Sequence, residues 1–143
     1  MVPASGNFYP CFHIANVQQA GPNTIETVYI FSIDSAVTGT FTGSLVLTER
    51  DVIHPAGHIT FEGSGFFWCG CGTPRFTYAG IGNINTGSES AHFVCSQGTG
   101  CYASVHAEGT FQSNVTGPSQ GCDVTEVGTY NGWIHYEDED IHQ

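Results

Sequence analysis

Six cysteines in a chain of 143 residues are the side chains with the most reactive chemistry in this sequence. Cys69 and Cys71 are separated by one glycine, while Cys95 and Cys101 flank a glycine-rich turn. Four thiolates at two turns could bind zinc tetrahedrally, but their spacing lacks the two-residue gap of zinc knuckles. Structural disulfides in an oxidising compartment are the simpler interpretation, and free thiols are a third.

The other two cysteines, Cys11 and Cys122, lie near opposite ends of the chain. If the strands close into a barrel, the first and last strands become neighbours, and a Cys11–Cys122 disulfide would clip the seam. All six cysteines are therefore candidate disulfide partners. This cysteine usage predicts a secreted, extracellular protein, with a cytoplasmic one as the alternative. Residues 1–10 lack the basic start and apolar run of a signal peptide, so secretion implies a processed chain.

A second set of polar residues falls in phase with the apolar faces of their strands. Its members are Glu49, Tyr29 and Tyr78, which are the candidate catalytic residues. A carboxyl group at the mouth of an apolar cavity would have a raised pKa and could exchange a proton with a bound ligand. The alternative is that Glu49 lies in solvent at the end of its strand, where acidic side chains are usually exposed.

Two further patterns resemble metal-binding motifs, but neither one supports a metal site. His54 and His58 are four residues apart, but Pro55 between them forbids the helix that would place both on one face. The acidic run 137–140 lacks the spaced carbonyls and glycine of a calcium loop, so we expect a solvated tail. No metal and no cofactor are predicted.

Strands must position these residues, because apolar and polar side chains alternate along most of the chain and no segment has helical spacing. The alternation is clearest in 40–51 and 58–68, while 25–34 is apolar on both faces. His92 is a weaker candidate for ligand binding than the other residues, because its neighbour Phe93 competes with it for the interior face of the strand. The predicted ligand-binding residues on the inward faces are Phe31, Phe41, Leu45, Leu47, Phe61 and His92.

Closely spaced strands and frequent glycine turns predict an all-β protein. Eight strands with no long polar linker favour a single eight-stranded antiparallel barrel, with a β-sandwich as the alternative. We expect one domain over residues 1–143, in which 137–143 form the acidic tail.

The charge balance limits the partners. The chain has no lysine and two arginines against 13 acidic residues, which gives a formal net charge of -11. Nucleic acids and anionic lipids would be repelled by such a surface, so neither is an expected partner. No stretch approaches the roughly 20 apolar residues of a membrane span. A homo-oligomer is compatible with the sequence.

Several short glycine-containing segments follow one another in a characteristic order along the chain: 4–8 (ASGNF), 37–43 (VTGTFTG), 72–76 (GTPRF), and 98–100 followed by 108–111 (EGTF). In this order they resemble an uncharacterised bacterial family whose fold is similar to the allene oxide cyclase barrel. The resemblance implies an eight-stranded barrel with an interior pocket, which holds a hydrophobic ligand in a fixed conformation. Catalysis in such barrels depends on restraint and a few polar groups rather than on a covalent nucleophile.

The function expected from the sequence is binding of a small hydrophobic molecule, with cofactor-independent isomerisation or cyclisation as its extension. The alternative is a secreted, non-catalytic structural protein that self-assembles or adheres through its surface. Free space in the barrel interior distinguishes the ligand-binding function from the structural one, because an eight-stranded barrel is just wide enough for side chains to fill it completely. Phe31, Phe41, Phe61 and Phe67 would plug the axis if they met there, whereas on one wall they would leave a cavity.

Overall fold

A computed structural model describes residues 1–19, 21, 25–68, 70–119 and 121–136. Within these residues the fold is all-β, with one short 3-10 turn at Gly100–Tyr102 and no α-helix. No helix in the described part is long and apolar enough to cross a membrane. The strands in chain order are β1 (Val2–Tyr9), β2 (Cys11–Gln19), β3 (Glu26–Val37), β4 (Gly43–Ile53), β5 (His58–Trp68), β6 (Arg75–Asn83), β7 (Ser88–Gln97), β8 (Val105–Ser119) and β9 (Cys122–Tyr136).

The strands close an eight-stranded antiparallel barrel with one additional strand. From β3 to β9 each strand pairs with the next along the chain, as in an up-and-down barrel. β1 and β2 both lie between β9 and β3, and both keep one register against β9: Phe8 pairs with Gly128 and Cys11 with Thr125. These two segments, joined at buried Pro10, therefore share one position in the barrel. The predicted eight-stranded antiparallel barrel is confirmed, and the structure adds one strand to it.

The seam is reinforced on both sides of β1 and β2. A bulge in β3 buries Ser32 and Ser35, which hydrogen-bond to each other, and the Cys11 N–H donates to Ser35 Oγ at 2.8 Å. The other edge of β1 is covered by the β3–β4 connection, where the Thr40 N–H donates to the Ser5 carbonyl at 2.9 Å. The strand edges at the seam are thus paired or covered, which protects them from pairing with another chain.

The interior is formed by one alternating face of each strand. On β4 the residues Leu45, Leu47 and Glu49 are buried, and on β5 Ile59, Phe61 and Phe67 are buried. The inward faces predicted for these two strands are confirmed. β-branched and aromatic side chains fit this half-buried pleated surface, which explains why these segments form strands.

Interior aromatic rings lie opposite glycines on the neighbouring strand. Because residues paired across a ladder project from the same face, a glycine leaves room for the ring beside it. The rings take that room, so a Cβ added at Gly128 would lie 2.3 Å from Phe8 Cζ. The cross-strand pairs of this kind are Phe8/Gly128, Phe61/Gly80, Phe76/Gly65, Tyr78/Gly63, Phe93/Gly109 and Tyr130/Gly6.

The two ends of the barrel are built differently. At one end, here called the turn end, β4–β5 and β6–β7 are joined by tight turns in which Gly57 (φ 98°) and Gly87 (φ 72°) adopt left-handed conformations. At the other, here called the loop end, the Tyr130 hydroxyl donates to the Thr38 carbonyl at 2.7 Å and accepts the Phe41 N–H at 2.9 Å. Tyr130 therefore fixes the β3–β4 connection over the lumen.

Two disulfides are formed among the described cysteines. Cys11–Cys122 closes the barrel seam, as predicted from the neighbouring first and last strands, and Cys71–Cys101 joins the β5–β6 and β7–β8 connections at the loop end. The expected disulfide at Cys95 is wrong: its thiol is free and points into the core, away from the loop in which Cys101 lies. Cys69 and the tail 137–143 fall outside the described residues. The two disulfides indicate an oxidising compartment.

Candidate functional site in the barrel lumen

The barrel lumen contains a cavity of about 100 Å³. All nine strands and the β3–β4 connection contribute to its lining, which is aromatic and aliphatic apart from Cys95 and three glutamates, Glu49, Glu89 and Glu126. Phe41, Leu45 and Leu47 belong to this lining, as predicted, and Phe41 packs edge-on against Phe67 at 5.0 Å between ring centroids. The lumen is therefore narrowed by aromatic rings but retains free space.

Phe61 takes a different place from the one predicted. It is buried on β5 toward the turn end, where its ring contacts Tyr78 at 6.2 Å and Phe111 at 6.4 Å between centroids. It supports the side chains that face the cavity and is not part of the cavity wall.

Glu49 and Tyr78 form a buried hydrogen-bonded pair in the lumen. The Tyr78 hydroxyl donates to Glu49 Oε1 at 2.6 Å, and the two side chains project from β4 and β6 on either side of β5. Gly63 of β5 makes room for the Tyr78 ring between them, since a Cβ there would lie 2.4 Å from the Tyr78 hydroxyl oxygen. Glu49 is 6% exposed, so it does not lie in solvent as the alternative had it. Burial raises its pKa well above the usual value.

Asp51 is the next inward residue on β4, two positions beyond Glu49. Burial also raises its pKa, whereas its hydrogen bond with Glu49 lowers it and raises that of Glu49. Because a charge on either carboxyl group disfavours a second charge beside it, the two groups resist being ionised together. Asp51 Oδ1 is buried and has no hydrogen-bond partner among the described residues.

A second carboxyl pair lies across the lumen. Burial raises the pKa of Glu89 on β7 to about 8 and that of Glu126 on β9 to about 7. The hydrogen bond between them raises the pKa of Glu89 and lowers that of Glu126. The Ser113 hydroxyl of β8 donates to Glu126 Oε1 at 2.9 Å and also favours its ionised form.

The two carboxyl pairs are close enough to repel each other. The charge of Asp51 raises the pKa values of both Glu89 and Glu126, and Glu89 in turn raises that of Glu49. The neighbouring inward residues of β3 and β5, such as Ile30 and Phe61, do not titrate. Among the described residues, the titratable groups that face this part of the lumen are Glu49, Asp51, Tyr78, Glu89 and Glu126, with Glu26 on the same face of β3 toward the turn end.

No arginine neutralises these carboxyl groups. Both arginines of the chain lie on the outer surface: Arg50 approaches Glu62 at 3.6 Å, and Arg75 lies 5.6 Å from the centroid of the Phe66 ring. The chain has no lysine. The lumen therefore combines an apolar wall with carboxyl groups whose charge no arginine or lysine balances.

Two residues expected inside on β3 lie outside. Ile30 pairs with Glu49 and Ser32 with Leu47, and since paired residues share a face, the even-numbered residues of β3 face the lumen. Tyr29 and Phe31 therefore project outward, where the Phe31 ring contacts His13 at 5.2 Å between centroids. Their predicted catalytic and ligand-binding places in the lumen are wrong.

His92 also lies outside the lumen. On β7 the buried residues are Ala91, Phe93 and Cys95, so the exposed His92 between them is on the outer face. The competition with Phe93 for the interior is resolved in favour of the phenylalanine, which loses more from exposure to water than a histidine does.

Three carboxyl residues of the site were missed in the sequence, although the signal that identifies Glu49 applies to each. Asp51 is in phase with Leu47 and Glu49, Glu89 with Ala91 and Phe93, and Glu126 with Tyr130. Testing every acidic residue against the alternation of its strand would have found them. In the described part of the chain, no three His, Cys, Asp or Glu side chains are placed to hold a metal ion.

Comparisons with known proteins add no family to this description. No protein-family profile matches the chain, and a search of curated proteins finds no significant match.

Proposed function

We propose that the protein binds a small, largely apolar molecule in the barrel lumen. The observation that carries this proposal is the cavity of about 100 Å³ among apolar side chains. An apolar cavity of roughly 150 Å³ holds a benzene molecule, and the lumen cavity is smaller, so it suits a ligand of at most about one ring or a short chain. The alternative, a structural protein with a filled interior, gains no support from a lumen that retains free space.

The test is binding of toluene, followed by chemical shifts of the backbone amides and by the melting temperature. Leu47→Trp places a large ring in the cavity, and Thr48→Trp adds the same ring to the exposed outer face of β4. We expect saturable shifts at inward residues in the wild type and in Thr48→Trp, and none in Leu47→Trp. Absence of binding to the wild type, or equal binding to both variants, would refute a ligand-binding lumen.

A second candidate function is cofactor-independent isomerisation or cyclisation of the bound molecule. It is supported by the buried Glu49–Tyr78 pair, because a carboxyl group with a raised pKa can give or take a proton near neutral pH. Glu49 would be the general acid or base, and Tyr78 would orient it. Ligand recovered after incubation should have unchanged mass but a changed chromatographic retention, and Glu49→Gln should abolish that change while retaining binding.

We further propose that the protein is secreted, which the two disulfides support, with a cytoplasmic location as the alternative. The allene oxide cyclase-like relationship stays a prediction from the glycine-rich segments. A fractionation of cells of the source organism, probed with an antibody to the protein, would distinguish the two locations.

A further inference from the structure

Three carboxyl groups line the apolar cavity, and neighbouring hydroxyl groups hold two of them in place. The Tyr78 hydroxyl donates to Glu49 Oε1 at 2.6 Å, and the Ser113 hydroxyl donates to Glu126 Oε1 at 2.9 Å. Glu89 is the third carboxyl group of the cavity wall. Carboxyl groups that lie close together resist being ionised at once, so the cluster favours a cation that would let more of them ionise.

Ionisation of these carboxyl groups is unfavourable in the unliganded barrel. A charged group removed from water is destabilising unless it is paired, and both arginines lie outside the barrel. Next to the cluster, Asp51 Oδ1 is also removed from solvent and lacks a hydrogen-bond partner among the described residues. A positively charged hydrogen-bond donor in the cavity would pair with the carboxyl groups of its wall and offset their mutual repulsion.

The surfaces around the carboxyl groups also suit an organic cation. The Tyr78 and Phe111 rings pack edge-on with centroids 5.5 Å apart, next to Glu49. Aromatic faces attract ammonium groups, and the attraction increases when the cation is removed from water. The remaining wall is aliphatic and aromatic, so it would accept the apolar body of the same molecule.

We propose that the lumen binds a small organic ammonium ion, with its apolar body among the aromatic side chains and its nitrogen at the Glu89 and Glu126 carboxyl groups of the cavity wall. This inference rests on the proposed ligand-binding function and adds the charge of the ligand. The ligand class is a primary amine with a body of about one ring or a short alkyl chain, because the cavity volume is about 100 Å³.

The experiment compares three ligands of nearly the same shape by isothermal titration calorimetry at pH 7: benzylamine, which is protonated, benzyl alcohol, which is neutral, and benzoate, which is an anion. We expect benzylamine to bind about tenfold more tightly than benzyl alcohol, and benzoate not to bind, because charge-assisted contacts are the stronger ones. Repeating the titration in two buffers with different ionisation enthalpies should show proton release with benzylamine only, since the ammonium ion lets more of the carboxyl groups ionise.

Two isosteric variants test the proposed contacts. Glu89→Gln and Glu126→Gln each remove an ionisable carboxyl group from the cavity wall, and we expect each to weaken benzylamine binding about tenfold and to leave benzyl alcohol binding unchanged. The control is Glu62→Gln, which removes a charge on the exposed outer face of β5. Melting temperatures verify that the variants are folded, and the ligand preference and proton release of the wild type test the inference even if a variant does not fold.

The outcomes separate this inference from the function on which it rests. Equal binding of benzylamine and benzyl alcohol would overturn the ammonium ion as ligand and retain an apolar ligand-binding lumen. Binding of calcium chloride without binding of benzylamine would overturn it in favour of an inorganic cation. If none of the three ring compounds nor toluene binds, both the inference and the proposed function are wrong.

Discussion

Glu89 and Glu126 make the stability of this protein depend on pH in an unusual direction. Their folded-state pKa values are raised from 4.5 to about 8 and about 7, chiefly by burial. Between pH 4.5 and about 8 the folded protein therefore binds more protons than the unfolded chain. The free energy of unfolding accordingly falls as the pH rises through this window and is greatest at its acidic end.

We expect the melting temperature to fall by on the order of 10 °C between pH 5 and pH 8, since one pKa unit corresponds to about 1.4 kcal/mol and both carboxyl groups contribute. Glu126→Gln keeps an acceptor for Ser113 but cannot ionise, so it should flatten the profile and stabilise the protein at pH 8. Glu62→Gln removes the same charge from an exposed position and should leave the slope unchanged. A wild-type melting temperature that rises toward pH 8 would contradict the burial of these carboxyl groups.

At the scale of a strand, alternation predicted the interior only where one face is clearly polar. β4 and β5 have one apolar face each, and their inward residues were predicted correctly. β3 is apolar on both faces, so the choice between Tyr29 and Ile30 depends on the register with β4, where Ile30 lies opposite Glu49. Register is a long-range property of the closed sheet, and a single strand does not contain it.

The carboxyl cluster could be predicted only in part for the same reason. Glu49 was found because the alternation of apolar and polar residues along β4 is clear enough to show which face is buried. That Glu89 and Glu126 lie next to each other depends instead on how β7, β8 and β9 are aligned. The Cys11–Cys122 disulfide, by contrast, was predictable from topology alone, since barrel closure brings the first and last strands together.

The glycine-to-ring pairs give a prediction for β9. A Cβ at Gly128 would lie 2.3 Å from Phe8 Cζ, so Gly128→Ala should displace the ring from the seam. We expect a loss of about 1–3 kcal/mol, the usual range for overpacking a core. Thr129→Ala, on the outer face of the same strand, should cost under about 1 kcal/mol. Urea unfolding measures both, and equal losses would show that Phe8 does not depend on this glycine.

For the whole molecule, the two disulfides should differ in their contributions to stability. Cys11–Cys122 spans 111 residues and Cys71–Cys101 spans 30. In the chain-entropy model, loops of these lengths correspond to about 5 and about 3.5 kcal/mol of stabilisation. We expect the Cys11→Ser/Cys122→Ser variant to unfold at a lower urea concentration than the Cys71→Ser/Cys101→Ser variant. If the variant without Cys71–Cys101 unfolded first, the disulfide at the loop end, and not the one at the seam, would contribute more to stability.

The division of one barrel position between β1 and β2 has a practical consequence. β1 pairs with β9 over Val2–Phe8 in a single unbroken register, and Pro10 joins it covalently to the rest of the chain. β1 is therefore a strand that could be supplied as a separate peptide. A shortened protein starting at Pro10 and a synthetic peptide of residues 1–9 should reassemble into the complete barrel. The seam would then be a position at which the protein can be divided into two parts whose association reports that the peptide has bound.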